Sequence, residues 1–430
     1  MMNTQVTSIQ ALHQNLLSLL VYREVLGDRV GQAFLELLQS LIQADSAIAL
    51  QAYGSWFSAL AERGQGWQDY LLDRLLTAEN SFSQQKSDDL PSALIDAVKR
   101  DLQILQSLYK CRSEQVCEWV SQQTSAENLT AWSDELLQEK TATPLKAKLR
   151  TMQDWADAVD ELSVYYREFG TGIFAKYQAF RWQRGQLAAI AHPDLQQASD
   201  LIGYETQREM LLKNTEFLLS GKSALHILLY GSRGSGKSSL VKSLLRQYGD
   251  RQLRLIEVGK SELKDLPAIV EPLRNLPQKF IIFVDDLSFE EDDDAYKALK
   301  VVLEGNLTAR PQNVVVYATS NRRHLVREFF DDRPRPKDAD EVHHWDTVQE
   351  KLSFSDRFGL TLTFEPADQA TYLKMIHHLA QQAGITLESE DLDYRALQWA
   401  TRHNGRSGRT ARQFIDFLTA DLALFEPFHS

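Results

Sequence analysis

The chain has 430 residues, of which 43% are hydrophobic and 25% charged, enough for two or three domains with buried cores. Its formal net charge of −12 excludes a chain-wide coating of nucleic acid, because phosphate binding requires a basic surface. The two cysteines, Cys111 and Cys117, are too few for a disulfide framework and lack the paired spacing of a zinc site. No export signal and no apolar run of membrane-spanning length is found, so we expect a cytoplasmic protein without a membrane partner.

The first part of the chain has the spacing of helices almost throughout. Apolar side chains recur every three or four residues over 94–109 and again over 155–169. We therefore predict an all-helical N-terminal domain over 1–185, which would act as an adaptor for an unidentified protein client. Residues 186–200 contain Pro193 and small polar side chains, and this composition predicts a linker.

From residue 201 onward, short β-branched or aliphatic runs alternate with helical stretches. This alternation is typical of an α/β domain with a parallel sheet and helices on both faces. We predict that domain over 201–365 and a helical domain over 366–430. Five strands are predicted, over 225–230, 253–258, 280–285, 314–319 and 361–364.

A phosphate-binding pattern, G-x-x-x-x-G-K-[ST], follows the first of these strands and precedes a helix. It consists of Gly231, Ser232, Arg233, Gly234, Ser235, Gly236, Lys237 and Ser238, with Ser239 next in the chain. Its glycines allow backbone N–H groups to face inward at a helix N-terminus and bind phosphate. Lys237 would place its charge on the β- and γ-phosphates, and the Ser238 hydroxyl would ligate Mg²⁺. The sequence therefore predicts ATP and Mg²⁺ as cofactors.

Polar side chains follow the next predicted strands. The strand over 280–285 ends in Asp285 and Asp286, and Asn321 comes just after the strand over 314–319. Asp285 would hold the Mg²⁺ shell through water, Asp286 would orient or deprotonate the attacking water, and Asn321 would position that water. A capped strand end or a polar turn is the alternative reading of each feature. Their order after a phosphate loop favours a catalytic site.

Over about 201–425 the residues resemble AAA+ ATPases. Ile202 and Gly203 lie in a segment similar to the one that encloses adenine, and the sites above look like Walker A, Walker B and sensor 1. Arg357 lies in a segment similar to the arginine-finger box, and Arg409 in one similar to sensor 2 on the helical lid. The runs 231–239, 319–325, 350–359 and 405–409 further resemble a bacterial family described only as domain of unknown function 815.

The resemblance implies a site shared between subunits. Arg357 would reach the γ-phosphate of a neighbouring subunit, where a cation stabilises transition-state charge, so self-association is expected. Arg409 would close the lid on the nucleotide within its own subunit, with Arg406 and Arg412 as alternatives. Most AAA+ enzymes have glutamate where this chain has Asp286.

Because of that departure, more than one residue is a candidate for positioning the attacking water. Glu290 and Glu304 are the alternatives to the shorter Asp286 side chain. The segment 258–263 contains no aromatic residue, in contrast to the pore loop of substrate-threading members, which argues against protein unfolding.

Three functions follow. The first is an AAA+ ATPase that binds and hydrolyses Mg·ATP at an inter-subunit site to remodel or load a partner. The second is an ATP-dependent assembly switch with negligible turnover, which the Asp286 departure favours. The third is a nucleic-acid-associated loader, supported by Arg322, Arg323 and the basic and aromatic residues of 176–184. For that last segment, packing as an amphipathic helix is the favoured interpretation.

Overall fold

The computed structural model describes residues 2–85, 90–126, 128–132, 143–194, 202–274, 276–289, 294–304, 310–321, 353–403 and 405–425. The chain divides into two compact units, Met1–Lys176 and Tyr177–Ser430. Within the described ranges, no helix is both long enough and apolar enough to cross a membrane.

The first unit is helical, as predicted for this part of the chain. Its helices are α1 (Met2–Leu17), α2 (Arg29–Gln43), α3 (Ser46–Arg63), α4 (Trp67–Leu76), α5 (Ser92–Lys110), α6 (Ser113–Thr124), α7 (Pro144–Thr151), α8 (Val159–Phe169) and α9 (Gly172–Lys176). Asp28 and Asp45 begin α2 and α3 by accepting hydrogen bonds from backbone N–H groups of the first turn. The core includes Trp67, whose ring centroid lies 4.6 Å from that of Phe34 and 5.4 Å from that of Trp56.

A buried carboxylate joins distant parts of this unit. Asp101 of α5 is 0% exposed and accepts hydrogen bonds from the backbone N–H groups of Leu20 (2.9 Å), Val21 (2.7 Å) and Tyr22 (3.1 Å). These N–H groups belong to the segment after α1, where no helix partner satisfies them. The carboxylate therefore fixes the chain leaving α1 against α5.

The second unit contains a sheet and the helices around it. Its strands are β1 (Ala179–Gln183), β2 (Gln186–Ile190), β3 (Ile227–Gly231), β4 (Leu253–Val258), β5 (Lys279–Val284), β6 (Val314–Ser320) and β7 (Leu360–Phe364). Its helices are α10 (Glu205–Leu219), α11 (Lys237–Tyr248), α12 (Leu266–Leu273), α13 (Asp294–Glu304), α14 (Gln369–Gln382), α15 (Ser389–Arg402) and α16 (Gly408–Phe425).

In the described residues the strands form a seven-stranded sheet in the order β2-β1-β4-β5-β6-β3-β7. The five predicted strands, β4-β5-β6-β3-β7, are all parallel to one another. Phe280, Ile282 and Val284 of β5 are all 0% exposed, as are Ile281 and Phe283 between them, so both faces of the sheet are covered. The prediction of a five-stranded sheet was therefore two strands short.

The two additional strands lie where helix and linker were predicted. β1 pairs in parallel with β4 and is joined to β2 by a two-residue turn with Arg184 at φ +53° and Gly185 at φ +77°. Positive φ at both central residues matches the right-handed twist of a hairpin. The all-helical prediction was thus wrong for 177–185 and the linker prediction wrong for 186–190. The division between units falls after Lys176, not after residue 185.

The basic and aromatic residues near this hairpin have partners within the chain. Phe180 is 0% exposed, the Arg181 guanidinium donates two hydrogen bonds to Glu257, and Trp182 Nε1 donates to Asp265 Oδ2 at 3.0 Å. These residues belong to the strand β1, in which alternate side chains face opposite sides of the sheet. The favoured interpretation as an amphipathic helix was therefore wrong.

The C-terminal helices share one core with the sheet. Tyr372 and Ile376 of α14 and Phe414 of α16 are buried in the same apolar cluster as Phe364 of β7. The Tyr204 ring, just before α10, lies tilted against the Phe364 ring with centroids 4.9 Å apart, and its hydroxyl donates to Glu365 O at 2.6 Å. This packing places α14 and α16 beside the carboxyl ends of the strands.

Candidate functional site

The predicted phosphate loop lies between β3 and α11. Gly231 has a φ of +143°, and a Cβ atom there would lie 2.0 Å from Phe364 O, so only glycine fits beside β7. Ser232 N donates to that same oxygen at 2.9 Å. Helix α11 then begins at Lys237, which leaves the backbone N–H groups of its first turn without partners in the helix. Such a helix N-terminus attracts anions.

The Lys237 side chain lies over the loop. It is 6% exposed, and its Nζ donates to Gly231 O at 3.0 Å, to Ser232 O at 2.7 Å and to Asn321 Oδ1 at 3.3 Å. Burial lowers the pKa of Lys237, and the carboxylates of Asp285 and Asp286 oppose that shift. The ammonium group therefore stands between the loop and the acidic residues.

The acidic residues are held by side chains from two other elements. Asp285 Oδ1 accepts hydrogen bonds from the hydroxyls of Ser238 at 2.6 Å and Thr319 at 2.5 Å. Asp286 Oδ1 accepts from Asn321 Nδ2 at 2.7 Å. Because β6 lies between β5 and β3 in the sheet, all these groups meet at one edge. Hydroxyl and carboxylate oxygens are the donors that Mg²⁺ prefers, so Ser238 and Asp285 fit a site for this ion.

The lid, which comprises helices α14, α15 and α16 and the residues between them, contacts the phosphate loop directly. Arg409 N donates to Gly234 O at 3.2 Å, and a Cβ atom at Gly234 would lie 2.9 Å from Ser407 Oγ and 3.2 Å from Arg409 Cβ. Loop and lid thus enclose a cavity of about 470 Å³. The residues lining the cavity are Ile202, Arg233, Gly234, Ser235, Gly236, Lys237, Ser238, Ser239, Asp285, Asp286, Thr319, Asn321, Met375, Leu379, Gly408, Arg409 and Arg412.

The cavity has two chemically different parts. Ile202, Met375 and Leu379 provide apolar side chains, whereas the guanidinium-bearing Arg233, Arg409 and Arg412 add positive charge to that of Lys237. An apolar surface suits a planar ring system and a cationic one suits phosphate groups. Together they match the two ends of a nucleotide.

Four predicted site residues do not line the cavity. Gly231 and Ser232 lie at the start of the loop, beside Phe364 O of β7. Gly203 lies against the lid, where a Cβ atom would be 2.3 Å from Thr371 Cγ2. Arg357 lies elsewhere, forming an ion pair with Glu304 at the end of α13.

That ion pair also bears on the alternatives to Asp286. Glu304 does not line the cavity and is paired with Arg357, so it does not face the phosphate loop. Glu290, as well as Leu201, Arg322 and Arg323, lies outside the described residues.

Sequence reasoning missed three residues that line the cavity. Thr319 lies on β6, two positions before Asn321, which directly follows the strand. The period of a strand places positions two apart on the same face, so this signal was present. Met375 and Leu379 show only as the apolar face of α14, which does not reveal what that face covers. Arg409 and Arg412 both line the cavity, so the choice between them stays open, whereas Arg406 does not.

The chain is similar to one described protein family and to several solved structures. Residues 175–422 match the family described as "Protein of unknown function (DUF815)". No curated protein matches the chain. Among solved structures, the chain is similar to a RuvB mutant from Thermotoga maritima, with 15% identity over 54% of this chain and 67% of that one and a TM-score of 0.38.

A second solved structure, AMPPCP-bound DnaA from Aquifex aeolicus, is 17% identical over 54% of this chain and 66% of its own, with a TM-score of 0.36. These likenesses concern the fold alone. The matched family covers more than half of the chain, and the phosphate loop, acidic pair and Asn321 follow β3, β5 and β6 in adjacent positions of the sheet. The chain belongs to the DUF815 family, and its second unit places a phosphate loop between a strand of a mostly parallel sheet and the helix that follows it.

Proposed function

We propose that the chain binds Mg·ATP in the cavity around Lys237 and hydrolyses it at a site that a second copy of the chain completes. The observation that carries this proposal is the continuous set of contacts from the phosphate loop to the acidic residues. Lys237 contacts Asn321, Asn321 contacts Asp286, and Ser238 contacts Asp285, all within one cavity. A structural polar cluster has no need of a glycine loop at a helix N-terminus.

The two ends of ATP match different parts of the cavity. The loop N–H groups and Lys237 would bind the β- and γ-phosphates, with Arg233, Arg409 and Arg412 close by. Ile202, Met375 and Leu379 would cover the adenine ring, and Gly203 would support this wall by allowing close contact with Thr371. Bound Mg²⁺ would neutralise phosphate charge, held by Ser238 directly and by Asp285 through water.

Hydrolysis requires a positioned water molecule. Asp286 would orient that water or accept a proton from it. As the water oxygen bonds to the γ-phosphorus, the bond from this phosphorus to the oxygen it shares with the β-phosphate breaks, and ADP and phosphate are left. Asn321 holds one Asp286 oxygen and leaves the other for the water. Asp286 is shorter than glutamate, so we expect slow turnover.

Arg357 supports completion of the site by a second copy. It lies outside its own cavity and is 17% exposed beside Glu304. In this proposal it reaches the γ-phosphate bound by the neighbouring copy, where its charge stabilises the transition state. The helical first unit would act as an adaptor for a protein client that ATP turnover remodels or loads.

Two alternatives have different support. An assembly switch with negligible turnover is favoured by the short reach of Asp286, and the experiment below separates it from an ATPase. A nucleic-acid loader gains less support from the segment 176–184, because Arg181 and Trp182 already have partners within the chain. Its other support, Arg322 and Arg323, lies outside the described residues.

The test is Mg²⁺-dependent ATP turnover measured across protein concentration. Wild type is compared with Lys237→Ala, with Arg357→Ala and with Lys242→Ala, a control on the same helix whose side chain does not line the cavity. We expect turnover per chain to increase with concentration, to be lost in the first two variants and to be retained in the control. If wild type binds ATP but turns it over no faster than Lys237→Ala, the assembly switch with negligible turnover becomes the better account.

A further inference from the structure

We propose that Thr319 is a positioning residue that holds the Asp285 carboxylate and the Asp286 backbone in their working geometry. The inference rests on the proposed function and deepens it, since it assigns a role at the same site to Thr319, to which no motif gives one. Thr319 lies near the end of β6 and is 2% exposed. It contacts Asp285, Asp286 and Leu287, which form the turn that follows β5.

The Thr319 hydroxyl has two defined partners. Oγ1 lies 2.5 Å from Asp285 Oδ1 and 2.9 Å from Asp286 N. A hydroxyl has one proton, and the amide can only donate, so Thr319 donates to the carboxylate and accepts from the N–H group. One buried side chain therefore connects both acidic residues.

The backbone of Thr319 holds the same turn. Thr319 O accepts from Leu287 N at 2.7 Å, and Ser320 Oγ donates to Leu287 O at 2.8 Å. Within this turn Asp286 has a φ of +52°, a left-handed conformation that non-glycine residues seldom adopt. Without the Thr319 hydroxyl, the Asp286 N–H would lose the acceptor that holds it in this conformation.

The contact with Asp285 has a consequence for the metal. Asp285 Oδ1 accepts two protons, one from Thr319 and one from Ser238. With its proton directed to Asp285, the Ser238 oxygen keeps its lone pairs for a cation. Thr319 holds the carboxylate where it can receive that proton, and thereby prepares Ser238 for Mg²⁺.

Neighbouring residues do not supply this function. Ser320 faces the other side of the strand and bonds to Leu287 O, whereas Asn321 contacts Asp286 and Lys237 but not Asp285. Thr319 is β-branched, which restricts its χ1 angle and keeps the hydroxyl aimed at the turn.

The test compares three variants of the full chain. Thr319→Val keeps the shape and removes the hydroxyl, and Thr319→Ser keeps the hydroxyl. Thr215→Val is the matched control: Thr215 is 0% exposed and its hydroxyl also bonds to buried groups, Leu211 O and Tyr317, away from the cavity.

The first readout needs no nucleotide. Hydrogen exchange is followed in the segment 284–289, and we expect Thr319→Val to accelerate exchange of the Asp286 amide by about tenfold or more. Thr319→Ser and Thr215→Val should leave it close to wild type. Unchanged exchange in Thr319→Val would overturn the inference, and so would equal acceleration in Thr215→Val.

The second readout is the gain in ATP affinity on adding Mg²⁺, obtained from dissociation constants in EDTA and in Mg²⁺. Thr319→Val should lose about tenfold of this gain while its affinity in EDTA stays within about twofold of wild type. A full Mg²⁺ gain in Thr319→Val would overturn the inference. If wild type binds no ATP in either buffer, the proposed function fails, and the exchange experiment still decides the role of Thr319.

Discussion

Replacement of Gly231 by alanine should separate β3 from β7 at the start of the phosphate loop. The new Cβ atom would lie 2.0 Å from Phe364 O and 2.6 Å from Phe364 C, both backbone atoms. No side-chain rotation relieves this overlap. The strands must move apart by about 1 Å before the contact with the oxygen reaches 3.0 Å, a distance below which real Cβ atoms are essentially never found.

The cost follows from three contributions. The backbone conformation at φ +143° disfavours alanine by about 1–3 kcal/mol. Movement of β7 breaks the hydrogen bond from Ser232 N to Phe364 O, worth about 1 kcal/mol. Overpacking against the strand adds about 1–3 kcal/mol. We therefore expect the second unit to lose about 3–7 kcal/mol of stability, and ATP binding with it.

Gly384→Ala is the matched control. Gly384 also has a positive φ, +70°, but a Cβ atom there would meet no atom within 4 Å, so it should lose only about 1–2 kcal/mol. Hydrogen exchange of β3 and β7 measures the stability of the second unit separately from that of the first. Equal losses in the two variants would refute the reasoning, because the close approach to β7 would then contribute nothing.

Three further predictions concern other parts of the chain. Asp101→Ala removes the acceptor of three backbone N–H groups and should cost the first unit about 3 kcal/mol or more by hydrogen exchange. Asp96→Ala, on the exposed side of the same helix, should cost less than about 0.5 kcal/mol, and a similar loss in both would contradict the role of Asp101. Burial lowers the pKa of His226 to about 3, so the unfolded chain takes up the proton first and stability should fall as pH decreases from about 6.5 toward 3. His226→Asn keeps an acceptor and should remove about 1.4 kcal/mol per pH unit of this slope in acid unfolding; an unchanged slope would show that His226 is not responsible. Glu304→Gln should change the unfolding free energy by less than about 1 kcal/mol, because its ion pair with Arg357 is partly exposed, and a loss above about 2 kcal/mol would contradict this estimate.

The parallel strands and the phosphate loop were predictable because their signals are local. Val314–Ser320 and Lys279–Val284 are rich in β-branched and aromatic residues, and the glycines and lysine of the loop have fixed spacing. The order of Asp285, Asp286 and Asn321 along the chain also indicated that they would meet. Parallel strands bring their carboxyl ends to one edge of a sheet, so sequence order already contains this information.

The β1–β2 hairpin was not predictable from its local sequence. Its turn consists of Arg184 and Gly185. This pair is not the Asn-Gly or Asp-Gly sequence that usually marks such turns. Phe180 also fits a helical spacing. What decides the strand is pairing with β4, more than seventy residues later in the chain, as in the contact of Phe180 with Ile256.

The lid side of the cavity depends on tertiary packing. Met375 and Leu379 form part of the apolar face of α14, and only the position of that helix beside the phosphate loop exposes them to the cavity. The pairing of Arg357 with Glu304 likewise joins residues far apart in sequence, and no local spacing indicates it.

The central claim is that one copy of the chain completes the ATP site of another, and mixing two inactive variants tests it most directly. Lys237→Ala lacks the phosphate-binding amine but keeps Arg357, whereas Arg357→Ala keeps the phosphate loop. An equal mixture places intact arginines beside intact loops, and random pairing predicts recovery of about a quarter of wild-type Mg²⁺-dependent turnover. A mixture no more active than either variant alone would contradict a site shared between copies.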